Sequence, residues 1–423
     1  MSRGNKKRAS FGLAVLAVLG ASAHASTEAN PGNVVTEWNE IVEAAVPAGG
    51  LSPPRHYAMV HVAMFDAVNS IERKYRPYRF SVWAPSGASA EAAAAQAAHD
   101  VLVAQFPVAE ATFDMALQRR LANIRPVSAR QGSLVGKAIA RKVLDWRNDD
   151  GWLEPAPAFV LPPFPGLYQP TPPNFQPAAF VQFSTTEPFA LLTPTLYLPA
   201  APPSLISEEY ADGFDEVKRL GSATSTERTA EQTQLARLFA SVVSRTVHWG
   251  LWNRVARDTA RDRDLSLAGT ARLFALLNVS IHDAVQTSHT SKFIYGLWRP
   301  ITAIRRADED MNPQTDPEVS WAPLLTTPPY PSHAGNMACV GASAARALAL
   351  FYGTDAVSFT AVWLGNTGNP DVKRPYASFW QLAEDQANSR VYGGIHFRFE
   401  NAASQASCPR VPEYVFARFM VPR

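Results

Sequence analysis

The chain has 423 residues, 47% of them apolar and 18% charged, enough hydrophobic material for one large domain or two intimate ones. That balance excludes a disordered chain, and a formal charge of only +2 excludes a nucleic-acid-coating surface. Even this small excess sits in one place, since Arg3, Lys6, Lys7 and Arg8 all fall within residues 1–25.

Residues 1–25 read as an export signal: the positive head precedes an apolar run at 11–20, and Ala23-His24-Ala25 offers small residues for cleavage. The run is too short to span a bilayer, and no later segment is longer, so neither membrane insertion nor nucleic-acid binding is expected. Without the signal the charge becomes −2, because four basic and no acidic residues leave with it. The expected location is the periplasm or the medium. Cys339 and Cys408 could pair there, although spacing alone leaves open two separate buried thiols.

Next comes an N-terminal helical bundle over 26–153. Apolar residues recur at helical spacing over 34–45, 55–72, 90–106, 109–121 and 128–149. Composition then changes. Residues 154–206 hold Pro162-Pro163-Phe164-Pro165 and Pro170-Thr171-Pro172-Pro173, a density of proline that forbids helix interiors and central strands. A linker seldom carries side chains such as Phe159, Tyr168, Phe175, Phe180, Phe183, Phe189 and Tyr197, so an ordered arm packed over the helices is expected. A C-terminal bundle fills 207–423, with helical patterns at 207–220, 230–255, 267–285, 300–306, 334–352, 379–392 and 411–419.

The two bundles echo one another. Residues 58–68 and 275–285 align at a constant offset of 217, and both end in Asp-Ala-Val, at Asp66 and Asp283. A duplicated helical unit accounts for this better than two unrelated amphipathic helices.

The chemistry-bearing residues lie in the second half. Lys292 and Arg299 are seven apart, about two turns, so a continuous helix would put both on one face. Ser332 precedes an alanine-rich helix and is placed to cap it, where free N–H groups also favour anions. Arg390 and His396 flank Gly393-Gly394, which permits a change of direction that could join them at one centre. Glu400 lies four residues beyond His396 and could accept its second imidazole N–H. Arginine forks and a lysine charge suit a tetrahedral oxyanion such as phosphate or vanadate. His282 and His289 also share a helical spacing, but a metal site would want more ligands, so they read as packing or supporting residues.

The order Lys292-x6-Arg299-Pro300, Pro331-Ser332, Ser389-Arg390-x5-His396 resembles the vanadium-dependent haloperoxidases and the type 2 phosphatidic acid phosphatase superfamily, in particular the soluble bacterial haloperoxidase-like members. The resemblance implies an all-α fold of two related four-helix bundles. It implies that Lys292, Arg299, Ser332 and Arg390 hold the oxyanion, and that His396 is either the vanadium ligand or a phosphorylated nucleophile. Peroxide and halide would then be the substrates, or a phosphate ester in the phosphatase case, with a homodimer possible. One motif departs: the family reads Pro-Ser-Gly-His, whereas this chain reads Pro331-Ser332-His333-Ala334. His333 stands at the glycine position and Ala334 at that of the acid–base histidine, while another register would put Met337 there. His333 remains the candidate acid–base group, and a third outcome is an oxyanion-binding protein without turnover.

Overall fold

The computed structural model describes residues 32–46 and 53–423, so the proposed export signal lies outside the described residues. Its helices are α1 (Val34–Ala45), α2 (Pro53–Glu72), α3 (Ala90–Gln105), α4 (Glu110–Leu121), α5 (Pro126–Asn148), α6 (Glu208–Gly221), α7 (Ala230–Phe239), α8 (His248–Asp262), α9 (Leu267–Tyr295), α10 (Pro300–Arg305), α11 (Asn336–Tyr352), α12 (Phe379–Tyr392), α13 (Arg398–Ser407) and α14 (Arg410–Arg418). The fold is all-α, as expected, with one antiparallel hairpin of β1 (Phe359–Trp363) and β2 (Val372–Tyr376) that the sequence reading did not anticipate.

Local sequence explains most of the helix starts. Asn33, Ser89, Ser207, Thr229, Ser266 and Ser378 each cap a helix by accepting from a backbone N–H of its first turn. Alanine makes one face of α3 thin enough to pack closely on both α2 and α5. Helix α9 is buried along nearly its whole length and touches α2 on one side and α11 on the other, so it forms the spine between the two halves.

The stretch expected as a single helix at 230–255 is two, α7 and α8, separated by residues 240–247. The break has a tertiary cause. Arg245 N–H donates to the carbonyl of Leu364, just beyond β1, and Leu364 N–H donates to Thr246 Oγ1, so a backbone donor and a side chain of this segment are engaged by the hairpin's end instead of by a helix.

The internal echo has a physical counterpart. Asp66 accepts three consecutive backbone N–H groups, from Tyr78, Arg79 and Phe80, at 2.8, 3.1 and 2.8 Å. Asp283 does the same for Phe189, Ala190 and Leu191, at 2.8, 2.8 and 2.9 Å. Both carboxylates are fully buried and use the same chemistry at equivalent helix positions.

The segment that Asp283 holds belongs to the proline-rich arm, which is ordered and packed as expected. Gln286 Nε2 donates to Thr186 O from α9, and Arg147 Nη2 donates to Glu187 O from α5, so the arm is fastened to both halves. The two cysteines form a disulfide, Cys339–Cys408, which settles the alternative left open by their spacing. Among the described residues, no helix is long and apolar enough to cross a membrane.

Candidate oxyanion site

Lys292 lies in the last turn of α9 and Arg299 at the N-cap of α10, so no single helix carries both. Gly296 ends α9 in the left-handed conformation at φ 60°, and an added Cβ would sit 2.5 Å from Leu161 Cδ1. Glycine is therefore required at the turn that brings Arg299 back beside Lys292. Ser332 is not a helix cap either: Gly335 occupies that position on α11, and Ser332 lies in the loop before it. On the third side α12 ends at Tyr392, and the chain reverses through Gly393 and Gly394, the latter at φ 74°. The reversal carries His396 toward Arg299, with Glu400 behind it on α13.

These segments converge on one buried cluster. Lys292 Nζ donates to the Ser332 and Ala334 carbonyls at 2.7 and 2.5 Å, which leaves one of its three protons unassigned. Arg299 donates from Nε to Tyr330 O and from Nη1 to Ile395 O, both at 2.7 Å. Its Nη1 also lies 3.3 Å from His396 Nε2. His396 Nδ1 hydrogen-bonds to Glu400 Oε2, so Nδ1 carries the proton and Nε2 the lone pair.

What the cluster lacks is partners for its arginine donors. Arg299 Nη2, Arg390 Nε and Arg390 Nη1 are all buried without a protein partner, while the Ser332 side chain acts on Glu400. Buried donors are ordinarily paired, and buried charges more strictly so. Three buried cations, Lys292, Arg299 and Arg390, face one buried carboxylate, Glu400. A tetrahedral oxyanion supplies both the missing acceptors and the missing negative charge, so the residues present fit such a group.

Electrostatics agree. Burial pushes Lys292 well below its ordinary value, and the Arg299 charge adds to this. Arg390 is pushed down to about 10, first by burial, with Tyr330 partly offsetting it and Arg299 reinforcing it. Glu400 is pushed up to about 7 by burial, opposed by Lys292. His396 is held neutral by burial and by Arg299, Lys292 and Arg390.

His333 belongs to the cluster despite its altered register. Its ring is fully buried, Nε2 is 2.7 Å from the Ala200 carbonyl of the arm, and Nδ1 has no partner. That carbonyl assigns the proton to Nε2 and leaves a lone pair on Nδ1. Lys292 is among the charges that act on it, and burial is the main cause of its low pKa of about 4. Ala334 contributes only backbone: its carbonyl accepts from Lys292, and its N–H donates to Ser291 Oγ at 3.0 Å.

Three residues here were not singled out from the sequence as contacts of the site. The Tyr330 ring lies 4.8 Å from the Arg299 guanidinium and 5.3 Å from Lys292 Nζ. His289, one turn before Lys292, packs among Phe180, Phe183 and Tyr330. Its position three residues before Lys292 was the available signal. Tyr168 arrives from the arm, and no motif marks it.

Comparison with known proteins agrees with this architecture. Residues 272–422 match the family model described as the VCPO second helical-bundle domain. Vanadium chloroperoxidase of Curvularia inaequalis is 27% identical over 320 residues, 60% of this chain and 51% of that protein, so the chain spans about half the length of this curated relative. The crystal structure of a bacterial vanadium-dependent iodoperoxidase superposes with a TM-score of 0.77 at 23% identity, covering 92% of this chain and 96% of that one. A holo-type bacterial vanadium-dependent chloroperoxidase gives 0.70 at 13% identity, covering 92% and 98%. Residues 272–422 thus match the second helical-bundle domain of this family, and the chain shares its fold with solved vanadium-dependent haloperoxidases.

Proposed function

We propose that this protein is a vanadium haloperoxidase-like enzyme that binds vanadate and uses hydrogen peroxide to oxidise a halide. The observation that carries the reading is the set of unpartnered buried donors on Arg299 and Arg390 around the His396 lone pair. Arg299, Arg390 and Ser332 would hold the vanadate oxygens, and His396 Nε2 would bind vanadium. When bound, vanadate supplies an electrophilic centre that activates peroxide for two-electron oxidation of halide.

The protein's own groups then have separable tasks. Glu400 accepts from His396 Nδ1 and keeps the lone pair on Nε2 aimed at the cluster. Lys292 is anchored by two carbonyls and offers its remaining proton to a bound oxygen. His333, neutral at ordinary pH, takes a proton at Nδ1. The arm reaches this side through the Ala200 carbonyl, which accepts from His333 Nε2. The disulfide suits an oxidising compartment, in keeping with export to the periplasm or the medium.

A second reading, a soluble acid phosphatase, rests on the same lone pair: His396 Nε2 is equally suited to attack phosphorus and carry the phosphoryl group. Purified protein, with and without vanadate, separates the readings. Halide-dependent halogenation of an organic acceptor in the presence of vanadate supports the first. Hydrolysis of a phosphate ester that vanadate inhibits supports the second. Oxyanion binding with neither activity leaves a binding protein without turnover, the outcome to which Ala334 in the middle motif would point. His396→Ala and Arg390→Ala should each abolish tight oxyanion binding, and unchanged binding in both would sink the site.

A further inference from the structure

Tyr168 sits on the proline-rich arm, far in sequence from every motif residue. Its position is nonetheless fixed against one of them. Leu167 pairs with Leu297 in an antiparallel bridge, Tyr168 N–H donates to Gly296 O at 2.7 Å, and Trp298 N–H donates to Gly166 O at 2.9 Å. The arm is thus stitched along the Gly296 turn from which Arg299 departs.

The phenol is 3% exposed, and its hydroxyl is buried without a partner. A buried tyrosine hydroxyl normally finds a hydrogen bond, and this one has none within the protein. The ionisable groups that act on this phenol are Arg299 and Tyr330. Arg299 has its own unpartnered donor at Nη2 and stacks on Tyr330. The Tyr168 hydroxyl and Arg299 Nη2 are both buried without a partner and do not hydrogen-bond to each other, so both are open to a shared acceptor. No protein atom provides it.

We propose that Tyr168 is a further binding residue of the oxyanion pocket, its hydroxyl donating to the bound oxygen that Arg299 Nη2 also reaches. The inference rests on the oxyanion reading above and extends it, since it makes the arm a part of the binding site. The ligand class is a tetrahedral oxyanion, with vanadate and inorganic phosphate as the probes. Tyr168 would supplement Arg299 as a donor without adding charge.

The test is Tyr168→Phe in the full chain, with vanadate and phosphate dissociation constants measured by titration calorimetry alongside a melting curve. A hydrogen bond to a charged oxygen predicts about ten- to a hundredfold weaker binding. The melting temperature of the free protein should stay level or rise, because the lost hydroxyl had no partner to leave behind. Affinity within twofold of the parent would overturn the proposal. So would weaker binding accompanied by a lower melting temperature, which marks a structural hydroxyl. Arg390→Ala keeps the two levels apart. If the parent binds and Arg390→Ala does not, while Tyr168→Phe binds normally, only the role of Tyr168 falls. If the parent binds neither probe, the pocket reading itself fails.

Discussion

Removing the disulfide should lower stability by several kcal/mol and loosen the site as well. Cys339 lies one turn into α11, just after the loop bearing Ser332 and His333, and Cys408 caps the C-terminus of α13, which bears Glu400. The bond closes a loop of 69 residues. The chain-entropy relation for a loop of that length gives about −15 cal/mol/K, or about 4.4 kcal/mol at 25 °C, lost when the unfolded chain is freed. An unfolding entropy near 2.1 cal/mol/K per residue gives roughly 0.8 kcal/mol/K for this chain, so the melting temperature should fall about 5 °C. The double variant Cys339→Ala, Cys408→Ala avoids placing a hydroxyl in the apolar contact with Ala284. Calorimetric melting curves of parent and variant test the figure, and vanadate affinity should weaken alongside. A fall of less than about 1 °C would refute the reasoning, since it would mean that the unfolded chain gains almost nothing from release of the loop.

Gly296→Ala should cost about 2–4 kcal/mol by combining a left-handed backbone with a clash on Leu161, and it should weaken oxyanion binding because Arg299 hangs from that turn; melting and titration calorimetry check both. Asp283→Asn leaves at least one of the three arm N–H groups unpaired, a loss of about 1–3 kcal/mol each, and should expose the arm near Phe189 to limited proteolysis while Asp66→Asn should not. His99 bonds Asp100 and Asp114 through its two ring nitrogens at 2.8 Å, and these carboxylates raise its pKa against the burial that opposes them. The folded value lies above the ordinary one, so this contribution is complete below about pH 6.5 and disappears as pH rises through the folded value. Asp114→Asn should flatten that part of the stability–pH curve, measured by denaturant melts between pH 5 and 9; a parent curve without the slope would refute the assignment.

The site was legible where chemistry depends on residue type. A fork of donors can be only arginine, and an imidazole backed four residues later by a carboxylate shows in the sequence at His396 and Glu400. Less legible were the turns that assemble these groups. The spacing of Lys292 and Arg299 suggested one helix face, but Gly296 ends the helix and the pair meets across a reversal. Ser332 looked like a cap because it precedes an apolar run, yet the helix starts at Asn336 and the Ser332 side chain acts on Glu400 instead. The gap between α7 and α8 had no proline or glycine to announce it, since its cause is pairing with the distant hairpin at Leu364. Tyr168 was invisible for the same reason: only the backbone pairing at Gly296 connects it to the motifs.

The duplicated aspartates suggest why the arm belongs to this site. In the first half, Asp66 captures residues 78–80, which directly follow its own helix. In the second half the equivalent segment after α9 is used differently, because the chain turns at Gly296 to present Arg299. Asp283 accepts instead from the backbone N–H groups of residues 189–191 of the arm. The same carboxylate chemistry therefore closes a local loop in one half and recruits a distant segment in the other. Once recruited, the arm reaches the motif residues at three further points: Tyr168 at the Gly296 turn, Ala179 N–H on Pro329 O, and Ala200 O on His333. In the second half the segment after the helix is taken up by the Gly296 turn, and the arm supplies both the clamp on Asp283 and the contacts to the motif residues.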